Sequence, residues 1–116
     1  MMRLTSTLLF VACVAACGSS SLPPAKVANT QSSISAATAV GADQHPQAAL
    51  HLKMARDQLA EAQSLIDAGK NDEARLVLER ADADAEVALV ITREAQASEN
   101  VRKAQADVDA LQNRNP

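Results

Sequence analysis

The chain has 116 residues, a formal net charge of −3 and one aromatic residue, Phe10. That length supports one small domain. Mixed charge with an acidic balance leaves no basic patch for nucleic acid, and the lack of Trp and Tyr removes any stacking platform for bases or sugars.

The first residues read as a targeting segment, not as part of the fold. Met1-Met2-Arg3 is a short positive start, and Leu4 to Ala16 is a mostly apolar stretch of 13 residues. A helix needs roughly 20 apolar residues to cross a bilayer core, so this stretch is too short to span one. It ends in Val14-Ala15-Ala16-Cys17, followed by Gly18. An aliphatic residue, two small ones and a cysteine resemble the lipobox of bacterial lipoproteins. The resemblance implies a signal peptide over 1–16, cleavage before Cys17 and lipidation of its thiol. Two or more acyl chains make a stable anchor, where one holds only marginally. The alternatives are an ordinary secretory signal with an incidental Cys17, or lipidation at Cys13, whose preceding Phe10-Val11-Ala12 fits less well. In the sorting pattern of such lipoproteins an Asp after the cysteine retains the protein in the inner membrane. Gly18 therefore points to the outer membrane, periplasmic face, of a two-membrane bacterium. Cleavage removes Arg3 from the eleven basic residues and leaves ten against fourteen acidic ones, a net −4. Phe10 and Cys13 leave too, so with Cys17 acylated neither a free thiol nor a disulfide is expected.

Residues 17–28 read as the lipidated cysteine and a flexible tether, with Gly18-Ser19-Ser20-Ser21 giving freedom and Pro23-Pro24 extension. Residues 29–116 then read as one Ala-rich helical domain. Alanine occurs 22 times after Cys17. It has the best helix propensity but buries little area, so the domain is expected to be strongly helical and marginally stable. A first helix is expected from about Thr30 to Ala42, capped by Asn29 or Thr30, with Ile34, Ala37 and Gly41 on one face. Residues 41–45 form the turn. A second helix starts at Pro46 and ends at Gly69, a left-handed cap. Ala48, Leu52, Ala55, Leu59, Ala62 and Ile66 repeat at alternating steps of four and three, the a/d seam of a coiled coil. A third helix opens at Asn71-Asp72-Glu73 and meets no Gly or Pro until Pro116. Ala74, Leu78, Ala81, Ala85 and Ala88 form one seam, and Val101, Ala104, Val108 and Leu111 a second. Residues 87–91 are apolar nearly all round, so the stripe shifts phase there. Pairs expected on the surface are Lys53–Asp57, Arg75–Glu79, Arg80–Asp84, Glu99–Lys103 and Lys103–Asp107.

The fold expected is all-α: an antiparallel helical hairpin or three-helix bundle with coiled-coil-like packing and a long third helix. At 1.5 Å per residue the second helix spans roughly 35 Å and the third roughly 63 Å. About 18 residues of the third helix therefore overhang the hairpin while still carrying an apolar seam. Helix one, a second copy or a partner is expected to cover Val101, Ala104, Val108 and Leu111, the alternative being that the end of the helix frays.

The stretches HPQAALHLKMARDQLAEAQ and DEARLVLERADADAEVAL, with the long Ala-rich helix after them, resemble an uncharacterised family of short Ala-rich helical bacterial lipoproteins, a domain of unknown function. The resemblance covers about residues 30–112. Some members precede an OmpA-type peptidoglycan-binding domain. No such domain is present here, so peptidoglycan binding does not carry over, and the family brings no active site.

His45 and His51 lie six apart with Pro46 between them, whereas a helical metal pair needs three or four, so they read as surface or capping residues and no metal is expected. Glu79, Asp82, Asp84 and Glu86, flanked by Arg75 and Arg80, read as a solvated face. No nucleophile–base pair and no phosphate-binding loop occurs, so neither an enzyme, a cofactor nor a small-molecule substrate is expected. The reading is a lipid-anchored periplasmic lipoprotein that serves as a structural or protein-interaction module of the envelope, with another copy or an envelope protein as partner, or alternatively a self-associating coiled-coil spacer between membrane and periplasm or cell wall. A small enzyme is the third class, supported by no residue.

Overall fold

A computed structural model describes residues 21–114, which form three helices joined by short turns. Helix α1 is Pro24–Ala39, α2 is Pro46–Asp67 and α3 is Asn71–Arg114, with a single 3₁₀ turn at Ala42–Gln44 before α2. The first helix starts six residues earlier than the sequence suggested. Pro23 is extended (φ −61°, ψ 129°), as a residue before proline prefers, and Pro24 occupies the first helical turn, where its missing N–H costs nothing. The Pro-Pro pair thus ends the extended entry and begins the helix, and residues 24–28 belong to α1 and not to a tether. Thr30 is an interior core residue and not a cap. The helix also stops earlier, at Ala39, so Gly41 lies outside it, in the left-handed region at φ 89°. Gly69, at φ 75°, closes α2 as expected, its N–H donating to the carbonyl of Ile66.

The antiparallel hairpin of α2 and α3 is completed by α1, which packs on both. Two contacts fix the alignment of α1 with α3. Lys26 Nζ donates to Asp82 Oδ2 at 3.1 Å, and Gln96 Nε2 donates to the Val40 carbonyl at 2.9 Å. Both pairs are 56 residues apart in sequence, so α1 runs parallel to α3 without slipping. Helix α2 returns between them in the opposite direction.

The core follows the expected seams. Ala48, Leu52, Ala55, Leu59 and Ala62 are buried from α2, and Ala74, Leu78, Ala81, Ala85 and Ala88 from α3. Ile66 is only half-buried, because it sits beside the open end of the bundle. Val77 and Thr92 join from α3, and Thr30, Ile34 and Ala37 from α1. Both threonines stay satisfied by donating to the carbonyl four residues back, Thr30 to Lys26 at 3.1 Å and Thr92 to Ala88 at 2.8 Å. Among the described residues, nine of the fourteen buried apolar ones are alanines with no exposed surface. Leu52 and Leu78 are the largest fully enclosed apolar side chains.

Candidate functional site

Residues Asp82 and Asp84 do not form a solvated face. Two positions apart, they lie roughly 200° apart around α3, so each reaches a different neighbour. Asp82 meets Lys26 of α1. Asp84 is mostly shielded from solvent and accepts from His51 Nδ1 and Gln58 Nε2 of α2, each at 2.8 Å. His51 and Gln58 are seven apart, each one residue before a seam leucine, which is the flanking position where coiled coils place interhelical polar pairs. That spacing was the signal available in the sequence. Arg80 is consequently not joined to Asp84, and no Lys103–Asp107 pair forms. The Gln58 Oε1 and Asp82 Oδ1 atoms are buried without a hydrogen-bond partner among the described residues. These carboxylates hold helices together. His45 sits at the N-cap position of α2 without a side-chain capping bond, on a different stretch of chain from His51. Among the described residues no three His, Cys, Asp or Glu side chains converge as a metal ion requires.

Val101, Ala104, Val108 and Leu111 share one face of the overhang. Helix α1 does not cover them, because it ends beside Gln96. Every residue from Asn100 to Arg114 is exposed, with Val101 at 71% and Leu111 at 62%. At 1.5 Å per residue the 18 residues past Gln96 extend roughly 27 Å beyond the bundle. Three more large apolar side chains of α3 stay exposed on the bundle itself: Leu76, Val87 and Val90.

The overhang is held by its own side chains. Arg102 donates to Glu99 Oε2 through Nε at 3.0 Å and Nη2 at 2.6 Å, Lys103 lies 3.7 Å from Glu99, and Gln105 donates to Asp109 at 3.0 Å. The Arg102 bonds hold the Glu99 carboxyl below its usual range. A folded-state value below the unfolded one stabilises the helix above the unfolded value, and that support is lost as pH falls through the lowered one. Hydrogen exchange across that acidic range is expected to show reduced protection in the turn around Glu99, Arg102 and Lys103 while the bundle stays protected. A uniform loss along α3 would contradict an autonomous overhang.

The two ends of the molecule differ. Leu22, Pro24 and Val27 line an apolar hollow together with Ile66 and Asn71, so the chain enters the fold at the turn between α2 and α3. The C-terminal end of α3 points the opposite way. Cys17 lies outside the described residues, at most about 25 Å of extended chain before Pro24. Among the described residues no helix is long and apolar enough to cross a membrane.

Residues 25–111 match the family described as Domain of unknown function (DUF4398), and the chain belongs to it. That stretch runs from the first turn of α1 into the overhang, and includes Val101, Ala104, Val108 and Leu111. No curated protein matches the chain, and no solved structure matches it.

Proposed function

We propose that this member of the family is a lipid-anchored protein of the bacterial envelope, cleaved before Cys17, acylated there and held on the periplasmic face of the outer membrane. Its bundle serves as a base and α3 as an interaction element. The observation that carries this reading is the separation of the two ends. The chain comes in from Cys17 at the α2–α3 turn, and the uncovered apolar seam of Val101, Ala104, Val108 and Leu111 lies at the far end of α3. The lipobox-like Val14-Ala15-Ala16-Cys17 supports the anchor, and the exposed seam supports a partner. The reading assigns no substrate and no cofactor.

Two measurements on the full-length protein in its own cells test it. Cys17→Ser is expected to move the protein out of the detergent-extractable membrane fraction, and the wild-type N-terminal peptide is expected to carry the mass of acyl chains. An unmodified Cys17 in a membrane-bound protein would sink the anchor. A photo-crosslinker at Leu111 is expected to give one discrete adduct; a probe that reacts only with water argues against the interaction element.

A further inference from the structure

The exposed apolar residues of α3 form one pattern. Its six large exposed apolar side chains are Leu76, Val87, Val90, Val101, Val108 and Leu111. All six fall on a single ladder of alternating four- and three-residue steps, with Ala83, Ala97 and Ala104 filling rungs between them. The ladder is the core seam displaced by two residues: Leu76 follows Ala74, Val87 follows Ala85, Val90 follows Ala88. A shift of two residues is roughly 200° on a helix, so it runs along the back of α3, away from α1 and α2. This explains the apolar belt at 87–91, where the two seams overlap on opposite sides. The overhang seam is the end of this outward ladder, and a shallow apolar hollow lined by Ala83, Val87, Val90 and Ile91 lies on it over the bundle.

We propose that this face pairs with the same face of a second copy, antiparallel, with Val87 packed on Val90 of the other chain. The charges choose both partner and direction. Two rungs of the ladder are charged, Arg80 and Glu94, and Glu86 and Arg93 flank it. All four are exposed, and none has an ion-pair partner among the described residues. A parallel, in-register pair sets Arg80 against Arg80 and Glu94 against Glu94, which is unfavourable. In the antiparallel pair centred between Val87 and Val90, Glu86 faces Arg93 of the second copy and Arg93 faces its Glu86. Arg80 comes within a helical turn of the second copy's Glu94, again twice. Shifting the register by seven residues in either direction instead sets Glu86 against Glu86 or Arg93 against Arg93. The interface is isologous, as a two-fold dimer requires. It runs from Leu76 against Val101 to Val101 against Leu76, roughly 38 Å, and the hollow at Val87 and Val90 sits on the dyad. Val108 and Leu111 run past the start of the second copy's α3 and lie level with its α2–α3 turn.

The proposal rests on the reading of α3 as an interaction element and is independent of the lipid. Light scattering of the detergent-solubilised full-length protein is expected to give twice the chain mass, for wild type and for Cys17→Ser alike, so a failed anchor and a failed dimer are read separately. Glu86→Arg is expected to weaken the dimer about tenfold or more, and adding Arg93→Glu to restore it. Both residues are exposed, so circular dichroism is expected to stay unchanged. A photo-crosslinker at Val101 is expected to join the peptide around Leu76 of another copy. A monomer at all concentrations, no rescue by the double reversal, a Val101-to-Val101 adduct, or adducts with other proteins alone would each overturn the proposal.

Discussion

Leu78→Ala is expected to be the most damaging single truncation in this chain, costing about 2–5 kcal/mol. A domain of this size has only about 5–15 kcal/mol in total. Leu78 has no exposed surface and, with Leu52, is one of two fully buried leucines among the described residues, in a core made mostly of alanines. Each removed methylene forfeits transfer energy, and the void adds a second penalty where the walls cannot close. Its neighbours along the inner seam of α3, Ala74 and Ala81, are alanines and cannot reach into the gap. The void closes only if helices move, and α3 is held on both sides by the Lys26–Asp82 and His51–Asp84 contacts. Urea unfolding followed by helicity is expected to show a large drop in midpoint at unchanged slope. A loss below about 1 kcal/mol would mean that the helices slide together freely, contrary to this account.

Ala81→Leu is expected to do comparable harm from the opposite direction. Ala81 is fully buried on the inner seam of α3. Ala81 itself contributes only a Cβ and has no exposed surface, so added carbons find no open space and push α3 outward. Overpacking of this kind costs about 1–3 kcal/mol, and a three-carbon addition belongs at the upper end. Ala106→Leu is the control, on the same helix with the same change of residue. Ala106 is exposed and lies off the apolar ladder, and substitutions at such sites stay within about 0.5 kcal/mol. Thermal unfolding of the two variants side by side checks the contrast. Equal stability would show that the alanines at the inner seam are not there for close approach.

Much of this architecture was legible because its signals are local. The four-three steps of α2, Pro46, Gly69 and the acidic start at Asn71 each act through neighbouring residues, and the α2–α3 hairpin follows from them. The start of α1 was misread because Pro24 serves equally as an extended residue and as a first helical one; only packing against the hairpin decides. The sequence marks Thr30 as a cap and gives Thr92 no role because their hydroxyls are polar in name, yet each is satisfied by its own helix and behaves in the core like a small branched apolar residue. Asp82 and Asp84 were read as solvated because their partners, Lys26 and His51, are 56 and 33 residues away. The overhang came from simple length, but its seam looks the same whether covered or bare. The ladder on the back of α3 was hidden because Arg80 and Glu94 interrupt it, and because at 87–91 it overlaps the core seam.

The parallel arrangement of α1 and α3 has a mechanical consequence. The chain enters at the start of α1, and the free tip belongs to α3, so tension applied between the two ends pulls α1 one way and α3 the other. Because the two helices lie side by side and point the same way, that load is a shear along their whole shared length. The Lys26–Asp82 and Gln96–Val40 contacts at its two ends, and the buried Thr30, Ile34 and Ala37 between, must yield together and not one after another. Had α1 and α3 been antiparallel, the same pull would have peeled them apart one turn at a time.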